Sequence, residues 1–303
     1  MLLIYALGGG WGHLTRAVAL AHACKDDRVR ILTNSPYANH LCRAEPCLDI
    51  RIVSTREEVV AEITSSDPEC LIVDTFPRGI VGELVDYSGV RVLVQRELTP
   101  EYIAAADLPA FTNSHYGLVL TPGDVISELR DPPWLVHSPG NLSPAQARDL
   151  LRLDGPCILV CAAGNAAEQA WYGAVTAHLG KQARCIAPEC PPSCPRECWV
   201  QYWPAMDLFV AAEVVVGGAG YNTIHECLAC GVPLVARPWP RKYDRQLLRA
   251  QRAAQFGRVA IVQEPEEAAS MALGMVGTER VPVAFQNGVD DAYRRIANFL
   301  GAS

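Results

Sequence analysis

The 303-residue sequence lacks several patterns that would point to common classes of function. It has no apolar run as long as the roughly 18 residues that a membrane-spanning helix needs. It has no cluster of lysine and arginine of the kind that binds nucleic acid, and its net charge is −7. Its N-terminus, MLLIYALGGG, carries no positive charge before the apolar run, unlike a secretion signal. We therefore expect a soluble, cytoplasmic protein without a nucleic-acid partner.

Cysteine, in contrast, is abundant, with 12 residues. A chain of this length without a secretion signal is not a small disulfide framework. Most of the cysteines lie in apolar contexts, such as Cys70, Cys157 and Cys161, and are expected to be buried thiols. Two groups lie in CIAPECPPSCPREC, 185–198, and ECLAC, 226–230. Their spacing is not that of a standard zinc site, so we predict no metal and keep a structural zinc as the less favoured alternative.

Strand-like apolar runs alternate with helical patterns along the whole chain. Continuous apolar strands are typical of parallel sheets that are buried on both faces, and the alternation predicts doubly wound α/β sheets. A segment rich in Pro, Gly and Ser, 130–144, divides the pattern. We predict two Rossmann-like domains, 1–140 and 155–285, and a C-terminal helix within 286–303 that can pack back on the N-terminal domain. Two such sheets that face a cleft would bind ligands at the carboxyl ends of their strands.

The first glycine-rich turn, LGGGWGHLTRAVALA, joins the first strand to a helix. Its glycines, including Gly10 and Gly12, allow a tight turn and the close approach of a ligand. The dipole at the helix start disfavours a charged imidazole at His13, and a general base near pH 7 must be neutral. A capping or packing role explains His13 equally well, and Arg16 either orients a phosphate or extends to solvent. The turn lacks a clean G-x-G-x-x-G, so NAD binding is not indicated.

The second glycine-rich turn, EVVVGGAGYNTIHEC, presents N–H groups at a helix start, which suits a diphosphate. Asn222 and Thr223 add an amide and a hydroxyl. Glu226 either binds the two hydroxyls of a ribose or forms a capping box with Thr223. Further along, Asp244 and Gln246 either reach sugar hydroxyls or lie at a helix N-terminus, with Asp244 as the N-cap.

These motifs together resemble nucleotide-sugar glycosyltransferases of the GT-B fold. The closest likeness is to the N-acetylglucosaminyltransferase that completes the peptidoglycan lipid intermediate, and the UDP-glycosyltransferases are also similar. The likeness lies in the strand–GGAGYNT–helix, in HECLACGVP and in PRKYDRQ. GGGWGHLTRAVALA resembles the first glycine-rich loop of the family with its histidine, and CAAGN, 161–165, stands where the family has another glycine-rich strand end.

The resemblance implies transfer of a hexose from a nucleotide diphosphate sugar to an acceptor hydroxyl, and a UDP-sugar is the favoured donor. His13 would be the catalytic base. The sequence contains no Asp-x-Asp, so a metal-bridged diphosphate is not indicated, and we expect metal-independent inversion without a cofactor. The acceptor is a sugar, a lipid-linked molecule or a small molecule, and a lipid-linked acceptor would bring peripheral membrane association. The implied nucleotide-sugar-binding residues are Gly10, Gly12, Asn165, Met206, Gly218, Ala219, Gly220, Asn222, Thr223, Glu226, Asp244 and Gln246.

Two other functions remain open. GHLTRAVALA also resembles the nucleotide-sugar hydrolase of pseudaminic acid synthesis, in which His13 would activate water. A non-catalytic protein that binds nucleotide sugars is the third alternative. Asp74, Arg96 and Glu97 lie at carboxyl ends of predicted strands, where they either hold the acceptor and assist His13 or serve as turn and cap residues.

Overall fold

A computed structural model describes residues 1–25, 28–126, 132–153, 155, 157–281 and 285–301. Arg130, at the start of the predicted linker, lies outside these ranges. The chain forms two compact units. The first comprises Met1–Val136, Lys242–Asp244 and Gln286–Ser303, and the second comprises His137–Arg241 and Arg245–Phe285.

Strands and helices alternate as the hydrophobic pattern predicts. The strands are β1 (Leu2–Tyr5), β2 (Val29–Thr33), β3 (Asp49–Ile52), β4 (Cys70–Asp74), β5 (Arg91–Val94), β6 (Leu118–Leu120), β7 (Ile158–Cys161), β8 (Ala183–Ile186), β9 (Trp199–Val200), β10 (Val214–Gly218), β11 (Leu234–Arg237) and β12 (Val259–Ile261). The α-helices are α1 (Trp11–Ala23), α2 (Ala38–Ala44), α3 (Arg56–Ser66), α4 (Pro100–Ala105), α5 (Leu108–His115), α6 (Pro144–Leu151), α7 (Ala166–Leu179), α8 (Tyr221–Cys230), α9 (Gln246–Ala253), α10 (Pro265–Met275) and α11 (Val289–Gly301).

The first unit contains a parallel six-stranded sheet in the order β3-β2-β1-β4-β5-β6. All four residues of β1 are buried, as expected for a strand that is covered on both faces. The strand order reverses direction between β1 and β4, and open α/β sheets bind ligands at such a point. The loops that follow β1 and β4 therefore form the natural ligand crevice of this unit.

The second unit repeats this topology in a parallel sheet of order β12-β11-β10-β7-β8-β9. Here the order reverses between β7 and β10, and the second glycine-rich turn directly follows β10. The two sheets confirm the prediction of two Rossmann-like, doubly wound parallel-sheet domains.

Apolar side chains from both sheets and their helices form the cores. In the first unit, Leu3, Tyr5, Leu71 and Val73 belong to one buried cluster. The C-terminal helix α11 lies on this unit, where Arg295 donates a hydrogen bond to the Val119 carbonyl at 3.2 Å. No helix in the described ranges is long and apolar enough to cross a membrane.

Candidate active site

The imidazole of His13 lies against the carboxylate of Asp74 at the reversal point of the first sheet. His13 is the third residue of α1, and Asp74 is the last residue of β4. His13 Nδ1 is 2.6 Å from Asp74 Oδ2. The side chain of His13 is 17% exposed, whereas that of Asp74 is 3% exposed. The pair is therefore a buried carboxylate that holds a partly accessible imidazole.

Arg16 fixes the charge of this carboxylate. Its Nε donates to Asp74 Oδ1 at 3.0 Å and its Nη2 to Asp74 Oδ2 at 2.7 Å. Burial alone would raise the pKa of Asp74, but the charges and hydrogen bonds of Arg16 and His13 outweigh burial and hold the pKa well below its usual range. An ionised carboxylate only accepts hydrogen bonds, so Nδ1 of His13 carries the proton that faces Asp74. In the neutral imidazole, Nε2 then carries the lone pair that can accept a proton from a substrate.

The glycine-rich loop makes room for the ring of His13. A Cβ on Gly8 would lie 2.2 Å from His13 Nε2, so only glycine fits at this position. The Gly8 and Gly9 N–H groups donate to the side chain of Asn34 at 2.9 and 3.0 Å. On the other side, the ring of Phe76 stacks on His13 with centroids 5.5 Å apart. The imidazole is thus held by Asp74, by the loop backbone and by an aromatic ring.

Thr75 follows Asp74 in a strained backbone conformation. Its φ is +75°, and the Phe76 N–H donates to the Asp74 carbonyl at 3.0 Å across it. This is the pattern of the rare γ-turn with positive φ, which a β-branched residue adopts only when its surroundings enforce it. Thr75 Oγ1 accepts a hydrogen bond from Arg16 Nη2 at 3.3 Å. The turn places Asp74 and Phe76, the residues before and after it, against the same imidazole.

The second glycine-rich turn leads directly into α8. Gly220 is the N-cap of α8 and gives no side-chain cap. The N–H group of Ala219 donates to the Arg237 carbonyl at 3.2 Å, whereas those of Gly220, Asn222 and Thr223 have no partner among the described residues. Unpaired N–H groups at a helix start attract anions.

Asn222 adds an orphaned polar atom to this turn. Its Oδ1 is buried, and no described residue donates a hydrogen bond to it. Buried polar atoms are normally paired, so this oxygen would gain a hydrogen bond from a donor on a bound ligand. The side-chain methyl of Thr223 packs over Gly217, where an added Cβ would lie 2.9 Å away. The turn thus combines free N–H donors with one unsatisfied acceptor.

Glu226 is the sixth residue of α8. Because the N-cap is Gly220, Thr223 and Glu226 do not form the capping box that the sequence also allowed. Desolvation, helped by the charge of Asp207, raises the pKa of Glu226 to about 7. None of the described residues makes a hydrogen bond to its carboxylate. A carboxylate that is desolvated without a partner is costly, which favours a ligand as its partner.

Several predicted ligand residues have a role within the fold. Asn165 is the N-cap of α7 and accepts a hydrogen bond from Glu168 N at 3.0 Å. Met206 is 3% exposed, inside the 3₁₀ segment Ala205–Ala211. Gln246 begins α9 and accepts from Trp239 N at 2.9 Å. Gly10 is the N-cap of α1 and Gly12 lies in its first turn, while Asp244 groups with the first unit.

A polar cluster that the sequence analysis missed borders the second turn. Arg241 forms a bidentate ion pair with the buried Glu168, at 2.6 and 2.5 Å. Trp239 Nε1 donates to Tyr172 Oη at 2.9 Å, and the Tyr172 hydroxyl and the Trp239 ring lie next to Gly218. The alternating strand pattern could locate the ends of β7 and β11, but it could not show which side chains meet there.

The cysteines form no disulfide, and all 12 are free thiols. Cys70 and Cys157 are buried, as predicted, and Cys161 is half-buried. In the described part of the chain, no three His, Cys, Asp or Glu side chains are grouped so that they could hold a metal ion.

Residues 199–271 match the model of the glycosyltransferase family 28 C-terminal domain. This stretch contains the second glycine-rich turn, α8 and Glu226. A search of curated proteins finds no match to the chain.

Solved glycosyltransferases share the fold of the whole chain. SnogD from Streptomyces nogalater is 13% identical with a TM-score of 0.60, and the match covers 99% of this chain and 100% of that one. Spinosyn rhamnosyltransferase SpnG is 14% identical, with a TM-score of 0.58 and coverage of 100% and 96%. VinC, solved in complex with dTDP, is 14% identical, with a TM-score of 0.56 and coverage of 99% and 95%. The fold of the whole chain is therefore that of GT-B glycosyltransferases.

Proposed function

We propose that this protein transfers a sugar from a nucleotide diphosphate sugar to an acceptor hydroxyl without a metal, with inversion at the anomeric carbon. The observation that carries this proposal is the pair of His13 Nδ1 with Asp74 Oδ2 at 2.6 Å, which leaves Nε2 as a base. Transfer needs a base because a hydroxyl attacks poorly while it keeps its proton.

In the proposed reaction, His13 Nε2 takes the proton of the acceptor hydroxyl as the hydroxyl oxygen bonds to the anomeric carbon. The bond from that carbon to the diphosphate oxygen breaks, and the nucleoside diphosphate leaves with the electron pair. A single in-line displacement inverts the configuration. Asp74 stays ionised and stabilises the imidazolium that forms on His13.

The proposed binding site for the donor is the turn between β10 and α8. The unpaired N–H groups of Gly220, Asn222 and Thr223 would hydrogen-bond the diphosphate and stabilise its growing charge. Glu226, whose carboxylate receives no hydrogen bond from the described residues, would accept hydrogen bonds from the ribose hydroxyls. A UDP-sugar is the donor that the sequence resemblance implies, and a dTDP-sugar is a second candidate because VinC and SpnG were each solved with the thymidine nucleotide.

The test is nucleotide release from a panel of UDP-, dTDP- and GDP-sugars, with and without acceptors. Release that requires an acceptor supports transfer. Release at the same rate without any acceptor would mean that His13 activates water and that the protein is a hydrolase. Binding of a nucleotide sugar with no release under any condition would leave only a binding function.

A further inference from the structure

The first unit contains a cavity of about 270 Å³, and Thr75, the residue after Asp74, is one of the residues that line it. It lies at the carboxyl ends of β4 and β5, and residues of α4, α5 and β6 also line it. Thr75 thus lies in the cavity wall while its Oγ1 accepts a hydrogen bond from Arg16, which holds Asp74. A molecule in this cavity would touch the residue that connects it to the His13–Asp74 pair.

The described residues of the cavity wall are mainly apolar, and the charge of the one charged side chain among them is balanced by an ion pair. Leu93, Leu98, Ile103 and Leu108 supply apolar surface. Arg96 is the one charged side chain among the described lining residues, and it is buried. Its Nη2 donates to the equally buried Asp124 at 3.0 Å, which neutralises the guanidinium. A charged ligand would lose its hydration here without gaining an opposite charge, which is costly.

The volume also restricts the ligand. A cavity of about 150 Å³ holds one benzene ring, and drug-sized ligands occupy about 300 to 1,000 Å³. The cavity therefore suits a compact molecule of one or two rings. Asn113 and Gln95 are exposed lining residues that can meet polar substituents at the opening.

We propose that this cavity binds the acceptor, and that the acceptor is an uncharged, largely apolar alcohol or phenol with one or two rings. The inference rests on the proposed function, since it names the acceptor class for the same reaction. The hydroxyl to be glycosylated would be at the Thr75 side, toward the His13–Asp74 pair, with the apolar ring among the leucines.

Two probes with the same bicyclic ring test this class directly. Isothermal titration calorimetry without any donor would compare 2-naphthol, which is uncharged at pH 7, with 2-naphthoate, which is an anion. We expect 2-naphthol to bind at least tenfold more tightly. Equal or tighter binding of 2-naphthoate, or no binding of 2-naphthol up to its solubility limit, would overturn the proposal.

Substitutions of lining residues test whether 2-naphthol binds in this cavity. Asn113→Trp adds an indole at an exposed lining position, and Leu108→Trp fills the buried side. Each should weaken 2-naphthol binding at least tenfold. Ser114→Trp, the next residue on α5, is exposed and lies outside the cavity, so it should leave the affinity unchanged. If Asn113→Trp binds 2-naphthol like the wild type, the cavity is not the binding site.

The nucleotide-release assay separates this inference from the proposed function. Tight binding of 2-naphthol in the cavity, with no sugar transfer from any donor, would contradict the proposed function and leave the cavity as a binding site. Sugar transfer to an acceptor that is unaffected by both Asn113→Trp and Leu108→Trp would keep the function and overturn the acceptor pocket.

Discussion

His13 Nδ1 and Asp74 Oδ2 are 2.6 Å apart although 61 residues separate them in the chain. The sheet order explains this proximity, because β1 and β4 are neighbours and both lead into the same crevice. The buried ion pair with Arg16 keeps the Asp74 carboxylate ionised and in place.

Removing either partner of this pair should lower turnover for different reasons. His13→Ala removes the base, and Asp74→Asn removes the carboxylate that orients it, so each should reduce kcat by about 100- to 10,000-fold. Nucleotide affinity, measured by calorimetry, should stay near the wild-type value, because neither residue lies in the second unit. A variant that loses nucleotide binding while keeping turnover would refute these roles.

The two variants should differ in stability. Asp74→Asn leaves the buried Arg16 guanidinium without its counter-charge and should cost about 3 to 5 kcal/mol of unfolding free energy. His13→Ala keeps the Arg16–Asp74 pair and should cost much less. Denaturant unfolding of both variants is the check, and equal losses would contradict the assigned charge state.

Strain at Thr75 predicts an unusual order of stabilities. At φ +75°, glycine is unstrained and alanine is not, so Thr75→Gly should be more stable than Thr75→Ala by about 1 kcal/mol. Both variants lose the hydroxyl that accepts from Arg16, so this comparison isolates the backbone. We further expect Thr75→Gly to turn over more slowly than the wild type, since the freed turn no longer fixes Asp74 and Phe76. A fully active Thr75→Gly would show that the γ-turn has no positioning role.

Gly8→Ala should displace the imidazole. The added methyl would lie 2.2 Å from His13 Nε2, so the ring must move away from its position on Asp74. We expect a fall in kcat of at least tenfold with unchanged nucleotide affinity. Gly274→Ala in α10 is the control, because its methyl meets no atom within 4 Å and should have no effect on kcat. Wild-type turnover in Gly8→Ala would argue against the observed ring position as the active one.

The raised pKa of Glu226 predicts that the unfolding free energy depends on pH. Its pKa is about 7 in the folded protein against an ordinary value of 4.5. The folded state therefore binds more protons than the unfolded state between these values, and the unfolding free energy should fall by about 3 kcal/mol as the pH rises through this window. Above about pH 8, where Glu226 is ionised in both the folded and the unfolded state, its titration should not change the unfolding free energy further.

Glu226→Gln removes this titration. The variant should match the wild type near pH 4.5 and become progressively more stable than it up to pH 7. Unfolding by denaturant at several pH values measures the difference. Parallel pH profiles for the two proteins would mean that Glu226 is not desolvated as described.

The sequence predicted the parallel sheets because apolar periodicity is a local property of each segment. It made His13 and the α8 turn candidates for the same reason, since both lie within short glycine-rich motifs. The partnership of Asp74 with His13 depends on strand order, and the φ of Thr75 depends on packing around the turn, so neither follows from local pattern. The bidentate contact of Arg241 with Glu168 joins residues 73 positions apart and is equally non-local.

The most direct test of the central claim is the rate of nucleotide release from a bound donor sugar, measured with and without acceptor, in the wild type and in His13→Ala. We predict acceptor-dependent release by the wild type, and a loss of at least 100-fold in His13→Ala with donor affinity retained. Acceptor-dependent release that is as fast in His13→Ala as in the wild type would contradict His13 as the base of a glycosyl transfer.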